Sequence, residues 1–94
     1  MYGTIFNLDI KPGHHEAFLE TLKRESTPIG MSAWFVMNPD EKTEWIGVAV
    51  FESKESYVAN ADSPEQHQSF LRMMEHLNSE PTWTDGTYVM GRIA

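Results

Sequence analysis

Two segments in the middle of the chain are apolar on both faces of a strand. Gly30–Asn38 reads GMSAWFVMN, with Met31, Ala33, Phe35 and Met37 pointing one way and Trp34 and Val36 the other. Glu44–Phe51 reads EWIGVAVF, with Ile46, Val48 and Val50 on one side and Trp45, Ala49 and Phe51 on the other. A strand covered on one side only alternates apolar with polar residues. Neither segment does so, and both faces of the sheet they build therefore require cover. The rest of the chain has helical material for one face. A second copy of the chain is the simplest cover for the other, so the pattern predicts a homodimer.

The flanking segments complete a simple order. Tyr2–Ile10 reads as the first strand, with Tyr2, Phe6, Leu8 and Ile10 on one face and Ile5, Asn7 and Asp9 on the other. Lys11-Pro12-Gly13 ends it, because proline lacks the ladder donor and glycine frees the turn. A helix follows from His14 to Arg24, with Ala17, Phe18, Leu19 and Leu22 as its apolar stripe. Ser26-Thr27-Pro28 closes it. Asn38–Lys42 is a polar turn that joins the two central strands as a hairpin. Ser53 caps a short helix through Asn60. Ser63-Pro64-Glu65-Gln66 is a second start signal: a capping serine, proline at the first helical position and glutamine three residues after the cap. This helix is expected to reach Leu77, burying Phe70, Met73 or Met74, and Leu77. Trp83–Ile93 reads as the last strand, bent or bulged near Asp85-Gly86. The order β-α-β-β-α-β over residues 1–94 predicts one α+β domain. It is a ferredoxin-like, four-stranded antiparallel sheet with helices on one face.

Size and charge narrow the partners. A chain of 94 residues buries only about 60–65% of the surface its unfolded form exposes, so pairing would help it. Seven basic against 14 acidic residues give a net charge of −7, which argues against nucleic acid and anionic membrane as partners. The absence of cysteine excludes disulfides, thiolate nucleophiles and cysteine-held zinc or iron–sulfur sites. No run approaches the ~18 apolar residues of a membrane span, and no leader is read before Tyr2. A cytoplasmic location is the default expectation.

A family resemblance rests on the order of several short signals. A strand ending in Lys11-Pro12-Gly13 leads into a helix with Glu16 and Phe18. A later strand ends in Phe51-Glu52-Ser53, followed by a split helix carrying Asp62–Phe70, DSPEQHQSF. In this the chain resembles the antibiotic-biosynthesis-monooxygenase-like proteins of the dimeric α+β barrel superfamily, over almost its whole length. The resemblance implies two sheets packed into a barrel across the dimer, and a small cleft between sheet and helices in each subunit. Such proteins include cofactor-independent monooxygenases acting on aromatic polyketides, quinol oxygenases and heme-degrading enzymes. The heme-degrading branch uses an Asn on the first strand and a Trp and a His in the second helical region. Those places fall near Phe6, Asn60 and Phe70, and none matches. Asn7 is one residue away, on the opposite strand face.

Among side chains able to do chemistry, His67 stands out. It lies one turn before Phe70 and two before Met74, near the apolar stripe. It is the candidate general base, with the bland alternative of a half-exposed helix histidine. The ligand-lining candidates are Phe6, Trp34, Tyr57, Phe70, Met74 and Tyr88, whose rings and hydroxyls suit a flat organic compound. The same residue types also build cores and dimer interfaces. Met31, Met37, Met73, Met74 and Met90 more often fill core gaps than bind metals. His14 and His15 point about 100° apart on a helix and do not readily chelate one metal. His76 sits near a helix C-terminus, where a cation is favoured. No glycine-rich phosphate loop follows a strand. Heme, flavin, nucleotide and metal are therefore not expected. Two functions remain open: oxidation of a small aromatic or apolar compound without a cofactor, and a non-catalytic dimeric binding or structural module.

Overall fold

Local signals start the elements where the pattern places them. Gly13, at φ 80°, supplies the left-handed turn after the first strand. Ser53 accepts from the Ser56 backbone N–H at 3.1 Å, and the Ser56 hydroxyl accepts from the Ser53 backbone N–H at 3.3 Å. Ser63 accepts from the Gln66 backbone N–H at 3.1 Å, just before Pro64 opens the next helix. The computed structural model describes residues 1–94. Its elements are β1 (Tyr2–Leu8), α1 (His15–Arg24), β2 (Met31–Met37), β3 (Trp45–Phe51), α2 (Lys54–Ala61), α3 (Pro64–Met74) and β4 (Trp83–Thr87).

The four strands form one antiparallel sheet in the order β2-β3-β1-β4. This is the ferredoxin-like α+β arrangement expected from the element order. Residues directly opposite one another form rows across the sheet. Trp34, Ala49, Thr4 and Asp85 make one row, and Val36, Gly47, Phe6 and Trp83 the next; both face the helices. Phe35, Val48, Ile5 and Thr84 make a row on the other face, which no element of the chain covers. Ile5, Phe35 and Met37 are exposed there.

The core lies at one end, between α1 and the sheet. Phe18 is fully buried and packs with Leu8, Ile10 and Leu77. Leu22, Met73, Met74 and Trp45 close around this group. No helix is long and apolar enough to cross a membrane.

The structure departs from the sequence expectation in three respects. First, a bulge in β2 places Met31 opposite Phe51 and Ala33 opposite Val50, one residue out of step. It turns Met31 to the helix side, away from Ala33, Phe35 and Met37. Second, α3 stops at Met74 rather than Leu77, and β1 at Leu8 rather than Ile10. Instead Ile10 and Leu77 form a bridge, flanked by backbone bonds from Lys11 N–H to the His76 carbonyl and from Asn78 N–H to the Asp9 carbonyl, both 2.8 Å. Third, β4 ends at Thr87 rather than Ile93. Thr87 pairs with Tyr2 and the Tyr88 N–H donates to the Met1 carbonyl, so β1 offers later residues nothing to pair with. Val89, Met90 and Ile93 are exposed.

Candidate functional site

The two inward rows of the sheet form the floor of an open cavity of about 700 Å³, roofed by the three helices. The ring of Phe6 lies over Gly47, where any Cβ would overlap it. It also tilts against Trp83, centroid to centroid 4.6 Å, and Trp83 is 6.5 Å from Phe70. Helix α3 aims Gln66, Ser69, Phe70 and Met73 into the space, the three- and four-residue spacing of one helix face. Trp34 and Val36 from β2 and Leu22 from α1 extend the apolar wall.

Polar groups enter this lining at a few places. Tyr57, from α2, donates its hydroxyl to Asp85 Oδ1 at 2.8 Å. Burial, and then the Asp85 carboxylate, push the Tyr57 phenol up to about 12; the nearby Thr4 hydroxyl works in the other direction. Tyr57 is therefore a neutral donor at physiological pH. Thr4 itself is only 3% exposed, and its Oγ1 finds no partner in hydrogen-bonding geometry. Across the cavity, Asn60 Nδ2 donates to Gln66 Oε1 at 3.3 Å.

The third polar group is an ion pair that ties α3 to the end of α1. Glu25 accepts from Arg72 Nε at 2.6 Å and Nη2 at 2.8 Å, and from the Ser69 hydroxyl at 2.6 Å. The Arg72 hydrogen bond, opposed by burial and aided by Ser69, holds the Glu25 carboxyl down to about 2. A depressed carboxyl stabilises the fold above its unfolded value of 4.5, and that contribution fades as pH falls towards about 2. Arg72 stands half in solvent, so the effect is modest. Between pH 5 and pH 2.5 the melting temperature of Glu25→Gln should converge on that of the wild type. Parallel curves would show that the pair contributes nothing.

The predicted ligand and base residues separate into two groups. Phe6, Trp34, Tyr57 and Phe70 line the cavity. His67 also borders it, on the exposed flank of α3. Met74 and Tyr88 do not. Met74 is turned one position past the cavity-facing stripe and packs on the Leu8–Phe18 core, while Met73 faces the cavity. Tyr88 lies against Gly3 on the uncovered face of the sheet, its hydroxyl donating to the Thr4 and Ala49 carbonyls at 3.2 and 3.1 Å. Burial raises its phenol pKa.

Thr4, Asp85, Glu25, Ser69, Asn60 and Gln66 were not singled out from the sequence as site residues. Thr4 alone carried a usable signal, as a polar residue between Tyr2 and Phe6 on an otherwise apolar strand face.

The histidines outside the cavity have structural company. His14 and His76 approach through Nδ1 atoms at 3.2 Å, and Thr21 Oγ1 is 3.0 Å from His76 Nε2. This bonding, rather than a helix end alone, accounts for His76. His15 stacks near Trp45 at 5.1 Å. No three His, Asp or Glu side chains group so as to hold a metal ion. Asn7 faces away from the cavity, where it donates to Glu44 Oε2 at 3.2 Å.

No family model matches the chain, and no curated protein matches it in sequence. Solved structures do. A candidate antibiotic biosynthesis monooxygenase from Nitrosomonas europaea is 13% identical, with a TM-score of 0.76 over 96% of this chain and 100% of its own. One from Chloroflexus aurantiacus is 20% identical, with a TM-score of 0.71 over 96% of each chain. A mutant of SnoaB, a cofactor-independent oxygenase from Streptomyces nogalater, is 9% identical, with a TM-score of 0.78 over 96% of this chain and 94% of its own. At such identities the likeness is one of fold, and the fold of this chain is that of the antibiotic-biosynthesis-monooxygenase-like proteins.

Proposed function

We propose that this protein oxidises a small, flat aromatic or apolar compound with dioxygen, using neither metal nor organic cofactor. The observation that carries this reading is the cavity itself. It is walled by Phe6, Trp34, Phe70, Met73 and Trp83, with polar groups confined to a few positions. The likeness to SnoaB, described as a cofactor-independent oxygenase, supports it. We further propose that the working unit is a homodimer joined through the uncovered sheet face, in a cytoplasmic setting. The exposed Ile5, Phe35 and Met37 support the dimer.

His67 is the proposed base. It takes a proton from an acidic CH₂ carbon of a phenol- or enol-forming substrate. The carbanion passes electrons to dioxygen and forms a hydroperoxide at that carbon. Loss of water then leaves a carbonyl. One CH₂ becomes C=O, one oxygen atom enters the product and the other leaves as water. The apolar walls keep bulk water from the carbanion.

The second reading, a binding module without catalysis, is favoured by one feature. His67 is exposed and its ring has no hydrogen-bonded partner to orient it, unlike most catalytic bases. Oxygen uptake with a series of anthrone-like phenols decides between them. A catalytic His67 predicts turnover that falls by about 10²–10⁴-fold in His67→Ala, with the fold intact. Turnover unchanged in that variant removes His67 as base. Binding without any oxygen uptake leaves the module.

A further inference from the structure

We infer that the ligand of this cavity carries a protonated amine, which Asp85 holds. The inference rests on the ligand-binding reading of the cavity and adds the charge of the compound it takes. The lining contains three carboxylates, Glu25, Asp62 and Asp85, and neither lysine nor arginine. Glu25 is already neutralised by Arg72, which lies outside the lining. Asp62, at the end of α2, is exposed. Asp85 is the carboxylate on the floor itself, opposite Thr4 and two residues after Trp83 on the same face of β4.

Asp85 is both positioned and available. The Tyr57 hydroxyl donates to its Oδ1 at 2.8 Å and so orients the carboxylate. The other oxygen takes part in no side-chain hydrogen bond, and the residue is exposed, so a ligand can reach it. The ion pairs of the chain are Lys23–Glu20 and Arg72–Glu25, which leaves Asp85 without a cation. Lys54 lies instead over the Tyr2 ring, 5.7 Å from its centroid. A ligand ammonium group supplies what is missing, a charge-assisted hydrogen bond to the free Asp85 oxygen. Trp83 and Tyr57, the rings beside Asp85, attract a cation with their faces. A ligand carboxylate or phosphate would meet only like charge here. The flat ring that carries the amine lies against Phe6, Trp34 and Phe70.

The test compares 1-naphthylmethylamine, its neutral counterpart 1-naphthylmethanol and the anion 1-naphthoate. Binding is followed by NMR titration of the full chain, in which the backbone amides of β4 should shift. In dilute buffer the wild type should prefer the amine to the alcohol by about five- to tenfold, the value of one partly exposed charge-assisted hydrogen bond. Naphthoate should bind more weakly than either. At about 0.5 M salt the amine preference should shrink while the affinity for the alcohol holds. Asp85→Asn keeps the size and the acceptor for Tyr57 and removes the charge. It should hold amine and alcohol alike, and Asp85→Ala stands in should the asparagine variant not fold. An amine preference that survives in Asp85→Asn or Asp85→Ala overturns the inference and leaves the cavity as a ligand site. So does a wild type that holds the alcohol or naphthoate as well as the amine. A wild type that binds none of the three overturns both.

Discussion

Phe18→Ala should leave this protein unfolded or close to it. Phe18 is fully buried and joins α1 to Leu8, Ile10 and Leu77, the cluster that holds four of the five buried hydrophobic residues. Removing a buried phenyl ring costs about 3–5 kcal/mol, from lost transfer energy and from the cavity left behind. Domains of ordinary stability have about 5–15 kcal/mol in total, and small ones lie at the low end. Here only 9 of 94 residues are buried in the single chain, so little else can offset the loss. Thermal unfolding followed by circular dichroism reads the outcome. Phe18→Leu, which keeps most of the volume, should cost less than about 1.5 kcal/mol. An alanine variant melting within a few degrees of the wild type would place the core elsewhere.

Ile5→Asp should convert the proposed dimer into a monomer. Ile5 lies on the central strand β1, exposed in the single chain, between Val48 and Thr84 in the row that Phe35 completes. In a dimer joined through this face it would be covered. A twofold interface carries every substitution twice. An unpaired buried carboxylate costs about 3–5 kcal/mol, so two of them weaken association by well over ~10³-fold. The wild type should sediment at twice the 10.8 kDa chain mass, and the variant at the chain mass with its helices intact. A wild type that sediments as a folded monomer at micromolar concentration ends the dimer proposal. The exposed sheet face would then need another explanation.

The order of elements was legible because each start is set by residues close in sequence. Pro12-Gly13 breaks β1, Ser53 and Ser63 cap α2 and α3, and alternation marks β3. The ends were less legible, because they depend on remote partners. Leu77 leaves the helical pattern to bridge Ile10, and β4 stops where β1 has no residue left to pair. The bulge at Ser32 is likewise set by pairing with β3, and it alone moved Met31 to the other face.

The same division runs through the site. The sequence offered Phe6, Trp34, Tyr57 and Phe70 as ring-bearing candidates for a ligand pocket, and the structure gathers them round one cavity. The sequence also grouped Met74 with them, but the rotation of α3 against the sheet gives that place to Met73. Tyr88 lies on the opposite face because Trp83, Asp85 and Thr87 point to the helices, and the next residue, still held to Met1 by its N–H, points away from them. Local pattern alone therefore decided the elements, their order and the apolar character of both sheet faces, since these follow from the period of each segment. Only the tertiary structure decided that Thr4, Tyr57 and Asp85 meet on one floor. Strand register and helix rotation determine which distant side chains meet, and packing of the whole chain sets both.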